Sequence, residues 1–421
     1  MKQLSIFFVI FFSLILSSCS SETHYHKGNM HTHTLWSDGD DFPENVVKWY
    51  KDNGYNFLVL TDHNAIQDGE KLRRLPVDHP AILKSDVTIK KKSDLNDEGF
   101  VEVRLGEIEK FRSKFEDSGK FLLIRGNEIT CPASVHLTSF HQEYSLSAPL
   151  GTASERSRMI KDAVKLVDDY RIKSGRNTYP VLAHPNFNWA ITAEMIIENP
   201  ELRFFEVYNG HPQVNNNGDN YRASTERIWD IVLAHRLKEK DNNLIYGLAV
   251  DDAHGYHESD GYRDRGPGRG WVMVKSKDLT PESILDALDN GGFYSSTGVE
   301  INNIKVEGGN IKIKINSEKG VSYLTEFIGT SKNFDILSHP ALDSIGNEII
   351  NTTRIYTNQI GEILSTSSST TPTYTFSGDE LYVRVCITSS ANQVDLTGKV
   401  LGKQKAWLQP IIPSKLNIQV H

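Results

Sequence analysis

The sequence predicts an α/β fold, either a barrel or a doubly wound sheet, followed by an all-β sandwich. Short apolar runs alternate with amphipathic stretches between residues 29 and 298, which is the rhythm of strands and crossover helices. The runs are almost continuously apolar, as in parallel strands that are covered on both faces. From residue 299 to 421 the runs become alternating and are separated by turn residues, which is typical of antiparallel strands in a sandwich.

The predicted elements of the first domain follow from this rhythm. Its strands are expected at 57–60, 121–124, 180–183, 204–207, 245–250 and 271–274, after a first strand that ends near residue 30. Its helices are expected at 43–53, 103–116, 154–173, 192–198, 223–240 and 281–290. The long charged segment 68–117 is either an insertion over the mouth of a barrel or a solvated surface loop. The strands of the second domain are expected at 301–306, 311–315, 322–328, 354–357, 373–376, 381–387 and 416–420.

The composition is that of a soluble globular chain. The 421 residues are 38% hydrophobic and 24% charged, which predicts two or three domains with ample core. The net charge of -8 provides no basic surface of the kind that binds nucleic acid. We therefore expect a small-molecule substrate and no nucleic-acid partner.

Residues 1–19 are predicted to be a signal segment outside the fold. The apolar run 4–16 is too short to cross a bilayer as a helix and fits the apolar region of a signal peptide. The run leads into Leu-Ser-Ser-Cys, which resembles the bacterial lipobox and implies cleavage before Cys19 and lipidation of its thiol. The alternatives are an ordinary signal peptide cut near Ser18 and an uncleaved anchor. The lipobox predicts an extracytoplasmic lipoprotein, on the periplasmic or surface face, that is tethered to the membrane through residues 20–28.

The other two cysteines predict no thiolate metal site. Cys131 and Cys386 lie far apart in sequence, and neither has the close cysteine partner of a zinc site. We interpret both as buried free thiols rather than as a disulfide.

The stretch His-Thr-His-Thr-Leu-Trp-Ser-Asp-Gly at 31–39 is the first candidate metal motif. If His31 and His33 end a strand, both side chains point to the same face, because side chains alternate along a strand. Asp38 then adds an oxygen ligand from the turn that leaves the strand. Two imidazoles and a carboxylate together are a plausible beginning of a metal site.

Further candidate ligands follow the carboxyl ends of the other predicted strands. In parallel α/β folds, residues from separate strands converge at that edge. Each candidate alone has a structural explanation, such as a helix cap or a hydrogen-bonded loop histidine. Together they exceed the four or so ligands that one zinc takes and predict two or three divalent ions that share a carboxylate. The candidates are Asp62, His63, Glu128, His136 or His141, His184, Asp251 or Asp252, and His254.

The ordered motifs resemble the PHP (polymerase and histidinol phosphatase) family of metallohydrolases. They are His-x-His-x(4)-Asp-Gly at 31–39, Thr-Asp-His at 61–63, Gly-x-Glu at 126–128, a single histidine, Ala-His-Pro at 183–185 and Asp-Ala-His at 252–254. The resemblance covers residues 29–298 and implies a distorted (β/α)7 barrel. The stretches 267–272, 293–298 and 406–410 resemble a secreted branch of that family that is often described by its likeness to carbaryl hydrolase.

The resemblance also implies three metal ions and their ligands. The first ion would take His31, His33, Glu128 and Asp252. The second would take His136, His184 and the bridging Glu128. The third would take Asp38, His63 and His254.

Two of these assignments leave an alternative open. His141 competes with His136, because the two side chains would point to opposite faces of a strand. Asp251 competes with Asp252, which we favour because the side chains of an Asp-x-His pair share a face.

The favoured function is a metal-dependent phosphoesterase that cleaves a small extracytoplasmic phosphate ester with Zn, Mn or Fe. A hydroxide that bridges two ions would attack phosphorus, and the sequence offers no motif for a protein nucleophile. Arg265 and Arg269 are candidates to bind the phosphate, although their glycine-rich turn 263–270 has a purely structural explanation as well. Further candidates for the pocket wall are Asn186, Tyr208, Asn209, His211, His257 and Tyr294.

Two other functions remain as alternatives. The same metal site could hydrolyse a carbamate, ester, amide or glycosidic bond, because the hydroxide can also attack a carbonyl carbon. The chain could instead be a non-catalytic metal- or glycan-binding lipoprotein that uses the β-sandwich.

Overall fold

The computed structural model describes residues 23–83, 99–239, 243–257 and 262–415, and these residues form a mixed α/β structure. The predicted signal segment 1–19 and the predicted strand 416–420 lie outside the described residues. The helices are α1 (Pro43–Asp52), α2 (Pro80–Leu83), α3 (Ile108–Phe115), α4 (Arg156–Ser174), α5 (Ala193–Ile197), α6 (Thr225–Glu239) and α7 (Pro281–Asp289). Among the helices of these ranges, none has the length and apolar character needed to cross a membrane.

The strands of the first predicted domain include the seven that were predicted and four that were not, at 72–76, 100–104, 135–140 and 293–296. They are β1 (His24–Asn29), β2 (Phe57–Leu60), β3 (Leu72–Pro76), β4 (Phe100–Arg104), β5 (Leu122–Cys131), β6 (Val135–Phe140), β7 (Val181–Leu182), β8 (Phe204–Asn209), β9 (Tyr246–Val250), β10 (Trp271–Ser276) and β11 (Phe293–Ser296). Beyond the predicted boundary at 298 lie β12 (Ile301–Glu307), β13 (Asn310–Ile315), β14 (Tyr323–Ser331), β15 (Ser338–His339), β16 (Ile355–Tyr356), β17 (Glu362–Ser367), β18 (Thr373–Thr375), β19 (Glu380–Val394) and β20 (Val400–Ile411).

Thirteen of these strands form one sheet in the order β17-β14-β19-β20-β11-β10-β1-β2-β5-β6-β7-β8-β9. The pairs β1–β2, β2–β5, β7–β8 and β8–β9 are parallel. The prediction of a parallel sheet is wrong at β6, which pairs antiparallel with β5 and β7, and at β10, which pairs antiparallel with β1 and β11. At β6 the reason is the tight turn after β5, where Ala133 and Ser134 adopt φ angles of 58° and 62° and send the chain directly back.

In the run β1-β2-β5-β6-β7-β8-β9, the first and last strands are joined just beyond their C-terminal ends. Thr32 and Ala253 form a parallel bridge. The amide of His33 donates to the carbonyl of Ala253, and the amide of Asp252 donates to the carbonyl of His31, both at 3.0 Å. The segments after β1 and β9 therefore lie side by side, although more than 200 residues of sequence separate them.

The segment 68–117 is not a simple loop. It contains the hairpin β3–β4, and Leu75 and Val103 of that hairpin pack against Trp36. The predicted helix 103–116 begins only at Ile108 as α3, because Val103 still belongs to β4. Phe111 of α3 packs into the same apolar cluster as helix α1.

The C-terminal region continues the same sheet rather than standing apart from it. Strand β20 pairs antiparallel with β11, and β19 pairs with β20 and β14. Behind this junction, the buried guanidinium of Arg384 in β19 donates to both carboxylate oxygens of Asp230 in α6, at 2.7 and 2.6 Å. The hydroxyl of Tyr382 donates to the same carboxylate at 2.8 Å. A buried ion pair therefore joins the C-terminal strands to the first predicted domain.

Candidate metal centre

The loop that follows β1 is held in shape by Asp62. This buried carboxylate accepts hydrogen bonds from the amide and hydroxyl of Thr34, at 2.7 and 2.9 Å, and from the hydroxyl of Ser37 at 2.7 Å. Gln67 donates to it at 2.5 Å. Asp62 thus positions the neighbouring ligand loop, and its oxygens are already used for that purpose.

Glu128, on β5, lies at the centre of the candidate ligands and is fully buried. Its Oε2 atom lies 3.4 Å from Nε2 of His31, 3.4 Å from Nε2 of His33 and 2.7 Å from Nδ1 of His63. Its Oε1 atom faces the other side, where Nδ1 of His136 is at 3.0 Å and Nε2 of His184 at 3.2 Å. One carboxylate therefore borders two groups of imidazoles, as a bridging ligand must.

Asp252 completes the first of these groups, whereas Asp251 does not. The Oδ1 atom of Asp252 lies 3.3 Å from Nε2 of His31 and 3.1 Å from Nε2 of His33. Asp251 points away and accepts hydrogen bonds from the amides of residues 268–270 and from the hydroxyl of Tyr50. The structure thus places the favoured Asp252 at the centre and gives Asp251 the role of holding the glycine-rich turn.

A further group of donors lies around Asp38. Its Oδ1 atom is 3.4 Å from Nε2 of His254, 3.6 Å from Nε2 of His63 and 3.7 Å from Nδ1 of His33. The side chain of Asp38 is 56% exposed, so this group opens to solvent while the groups around Glu128 are buried.

Of the two competing histidines near β6, only His136 reaches the centre. His141 follows the end of β6 with a φ angle of 58°, and its Nε2 atom lies 3.1 Å from a guanidinium nitrogen of Arg176 and 3.6 Å from Glu282. With these partners, His141 lies outside the group of donors around Glu128, which His136 approaches at 3.0 Å.

The donor atoms of the centre fit divalent metal ions. In the described part of the chain, Nε2 of His31 and Nε2 of His33 are buried without a hydrogen-bond partner, and both face Oε2 of Glu128 at 3.4 Å. Buried polar atoms are rarely left in this state, so two that face one carboxylate oxygen indicate an ion between them. Imidazoles with carboxylates suit zinc, manganese and iron. Three sets of donors lie within 4.8 Å of one another: His31, His33 and Glu128; His63, Glu128 and His136; and His33, Asp38, His63 and His254.

Electrostatics in the centre also favour a cation. Burial opposes ionisation of Glu128, but His63 and His31 outweigh it and hold the pKa of this carboxyl well below its usual range. Burial likewise opposes protonation of His63, yet Glu128 and Asp38 raise its pKa to about 11. Burial and the neighbouring His254 lower the pKa of His33 to about 3. The carboxylates therefore remain charged, and the deeper imidazole of His33 offers a lone pair rather than a proton.

Glu206 is a further candidate residue of the centre, and it belongs to none of the motifs found in the sequence. It lies on β8, is fully buried, and its Oε1 atom is 2.7 Å from Nδ1 of His31. Its Oε2 atom accepts hydrogen bonds from the amide of His184 and the side-chain amide of Asn209, at 2.7 and 2.8 Å. Because Glu206 hydrogen-bonds Nδ1 of His31, the other ring nitrogen, Nε2, faces Glu128 and Asp252. The signal in the sequence is one acidic residue inside the apolar run Phe-Phe-Glu-Val.

The two arginines of the glycine-rich turn have different surroundings. Arg269 is 2% exposed, donates to the carbonyl of Gly210 at 2.9 Å and pairs with Asp395 of the C-terminal region at 3.2 Å. Arg269 does not belong to the lining of the cavity at the candidate metal centre, so the structure does not bring it to the position of the predicted phosphate ligand. Arg265 lines that cavity.

The cavity at the centre has a volume of about 440 Å³. Its lining combines the candidate ligands with a few other side chains: Asp38, His63, Glu128, His136, His184, Phe187, His211, Gln213, Asp252, His254 and Arg265. Of the other predicted wall residues, Asn186 donates to the carbonyls of residues 215 and 223, and the hydroxyl of Tyr294 accepts from the amide of Ile301. His257 pairs with Asp41 at 3.2 Å.

Similarity to known proteins is limited to solved structures. The chain matches no protein-family model and no curated protein. It is similar to a two-domain protein from Bacteroides vulgatus that contains a predicted PHP-like metal-dependent phosphoesterase, with a TM-score of 0.40 and 15% identity over 92% of this chain and 95% of that one. It is also similar to a protein from Bifidobacterium adolescentis that is proposed to be a metal-dependent phosphoesterase, with a TM-score of 0.28 and 15% identity over 56% of this chain and 90% of that one. At these TM-scores, neither similarity assigns an activity to this chain.

Proposed function

We propose that this chain is a metal-dependent hydrolase of the PHP family that cleaves a small phosphate ester. The observation that carries the proposal is the position of Glu128, a buried carboxylate that borders imidazoles on both of its oxygens beside an open cavity. A structural ion would need no cavity, and catalytic metal sites are those that keep a position open to substrate.

The proposal includes the finer points of the family resemblance. We propose a distorted (β/α)7 barrel from the run β1 to β9, three ions, and a β-sandwich beyond residue 298. The first ion would be held by His31, His33, Glu128 and Asp252, the second by Glu128, His136 and His184, and the third by Asp38, His63 and His254. Lipidation at Cys19 and attachment to the outer side of a membrane complete the proposal.

The residues of the chain prepare the reaction in three ways. Bound divalent ions would polarise the phosphoryl oxygens and lower the pKa of a water molecule. Glu206 fixes the ring of His31, and Asp62 fixes the loop that carries His33 and Asp38. Arg265 faces the cavity and would bind a non-bridging phosphate oxygen.

Hydrolysis at a carbonyl carbon is the second candidate, and the position of Arg269 favours it. Because Arg269 is withdrawn into an ion pair, Arg265 is the one arginine among the described residues that lines the cavity. A phosphate monoester carries two negative charges and gains more from guanidinium groups than a carbamate, ester or amide does.

The test is a substrate screen on protein that lacks residues 1–19, loaded with Mn, Zn or Fe. We expect turnover of phosphate monoesters or diesters that a chelator abolishes. His184→Ala should lower kcat by about 100-fold or more, because loss of a ligand exceeds the 10- to 100-fold effect of its outer partners. His141→Ala is the matched control, since this histidine faces Arg176. Activity that survives both chelation and His184→Ala would contradict the metal mechanism, and turnover of carbamates or esters alone would favour the second candidate.

A further inference from the structure

A second cavity adjoins the metal centre. It is open, has a volume of about 900 Å³, and shares His211 with the cavity at the centre. The second cavity is lined by the end of β8 and the residues after it, from Tyr208 to Pro212, and His211 is the member of this stretch that also lines the first cavity. A molecule bound at the metals could therefore extend past His211 into the second cavity.

The lining of the second cavity is polar and carries both donors and acceptors. Asn215 and Asn217 present exposed side-chain amides, and Lys399 presents an exposed ammonium group. Asp264 is half-buried, and its Oδ1 atom is buried with no hydrogen-bond partner in the described part of the chain. A buried acceptor in this state is costly unless a ligand donates to it.

The C-terminal region builds one side of this cavity and holds it rigidly. Lys399 lies in the turn between β19 and β20. Asp395 fixes that turn by accepting from the amides of Thr397 and Lys399, at 2.9 and 3.1 Å, and by pairing with Arg269. Gln393 donates to the hydroxyl of Tyr208 and to the carbonyl of Arg269, both at 2.7 Å. The turn that carries Lys399 is thus held against β8 and the glycine-rich turn 263–270, and such rigidity favours ligand binding.

We propose that this second cavity binds the alcohol part of the substrate and that this part is polyhydroxylated, as in a sugar phosphate or polyol phosphate. The inference rests on the proposed phosphoesterase function. A hydroxyl group both donates and accepts, so it can satisfy Asp264, the two asparagine amides and Lys399 together. An apolar alcohol would displace water from these groups without replacing its hydrogen bonds, and an ammonium group would face Lys399 across the same cavity.

The experiment compares substrates that share the reacting phosphate and differ in the alcohol. Glucose 6-phosphate and glycerol 3-phosphate probe the second cavity, phosphoethanolamine probes an amine, and p-nitrophenyl phosphate reports on the metal centre. We expect Asp264→Asn to raise KM for glucose 6-phosphate about tenfold, and Lys399→Met about threefold, which are typical losses of a charged hydrogen bond and of a more exposed one. The values of kcat/KM for p-nitrophenyl phosphate should stay within about twofold, because the reacting phosphate gains nothing from these groups.

Lys403→Met is the matched control, because Lys403 lies on the same hairpin and donates to Ser390 and Asn392 instead of lining the cavity. An equal rise in KM for this control, or equal effects on all four substrates, would overturn the inference. A preference for phosphoethanolamine that Asp264→Asn removes would overturn it as well. If no phosphate ester is cleaved, the phosphoesterase function fails, and the role of the second cavity is then tested by calorimetric titration with glucose 6-phosphate. Binding that Lys399→Met weakens would support the inference about the cavity. Absence of binding would overturn it.

Discussion

The molecule contains two buried groups of charged side chains, and they are built on opposite principles. At the junction with the C-terminal region, Arg384 and Asp230 neutralise each other through two direct hydrogen bonds. At the candidate metal centre, Glu128 and Asp252 face histidines at distances of 2.7 to 3.6 Å, and the Nε2 atoms of His31 and His33 are buried without a hydrogen-bond partner in the described structure. In the first group a cation and a carboxylate are already paired, whereas the second is the group that we propose to hold divalent cations.

The difference suggests that the pair at the junction serves the stability of the fold, whereas the charges at the candidate metal centre serve ion binding. A buried pair that is fully hydrogen-bonded holds two elements in register, and removing one partner leaves an uncompensated charge. Ligands that crowd together without satisfying one another cost stability until an ion binds. Three experiments test whether the two groups differ in this way.

The largest effect is expected from Asp230→Ala, which leaves the guanidinium of Arg384 buried without its carboxylate. We expect the free energy of unfolding to fall by about 3–5 kcal/mol, as measured by urea denaturation of the metal-loaded protein. Metal content of the folded fraction should not change. Asp278→Ala, at an exposed aspartate, serves as the control. If Asp230→Ala lowered the free energy of unfolding by less than about 1 kcal/mol, the junction would not depend on this pair.

A smaller effect is expected from Glu206→Gln, which retains the shape of the residue that orients His31. Metal affinity should fall by about 10- to 100-fold, as is usual when the outer partner of a ligating histidine is changed. Competition with a chromogenic chelator measures this affinity, and urea denaturation of the metal-free protein checks the fold. Glu201→Gln, an exposed glutamate just before β8, is the control. Unchanged affinity would mean that Glu206 does not position the ligand.

The smallest effect is expected at Glu226, which lies 2.8 Å from Lys405 and 3.5 Å from Arg384. Burial raises the pKa of its carboxyl, but the two cations outweigh burial and hold the pKa below the ordinary 4.5. Glu226 therefore stabilises the fold above about pH 4.5, and this contribution is lost as the pH falls through the lower folded-state value.

Glu226→Gln should accordingly lower stability by about 1 kcal/mol at neutral pH and by less under acid conditions. The measurement is the urea midpoint of variant and parent at pH 7 and below pH 4. A difference that grows on acidification would contradict the direction of the pKa shift.

The metal centre was easier to predict than the junction, for a physical reason. The α/β class was predicted correctly because apolar runs of strand length recur through the first domain. The candidate ligands stand in short motifs at strand ends, and the structure brings nine of them to one place: His31, His33, Asp38, His63, Glu128, His136, His184, Asp252 and His254.

The remaining features depend on contacts between distant segments, which no local pattern contains. Asp230 and Arg384 are 154 residues apart, and each alone is typical of a solvated charge. Glu206 appears as one acidic residue within an apolar strand, and only its contact with His31 reveals its role. Strand β20 was not predicted, because a glycine and two lysines interrupt the apolar pattern in its first half. The withdrawal of Arg269 likewise follows from Asp395, which belongs to another region.

The pairing of β20 with β11 has a consequence for the order in which the chain folds. The side chain of Gln409 in β20 hydrogen-bonds both the amide and the carbonyl of Gly247 in β9, at 2.9 and 3.0 Å. The hydroxyl of Ser295 in β11 donates to the same carbonyl at 2.8 Å. Strand β9 therefore acquires its full set of partners only once residue 409 has been synthesised, and contacts so distant in sequence slow folding. During translation, we expect the segment that carries Asp252 and His254 to become ordered only after residue 409 has been synthesised, so that the chain gains its capacity for metal after that point.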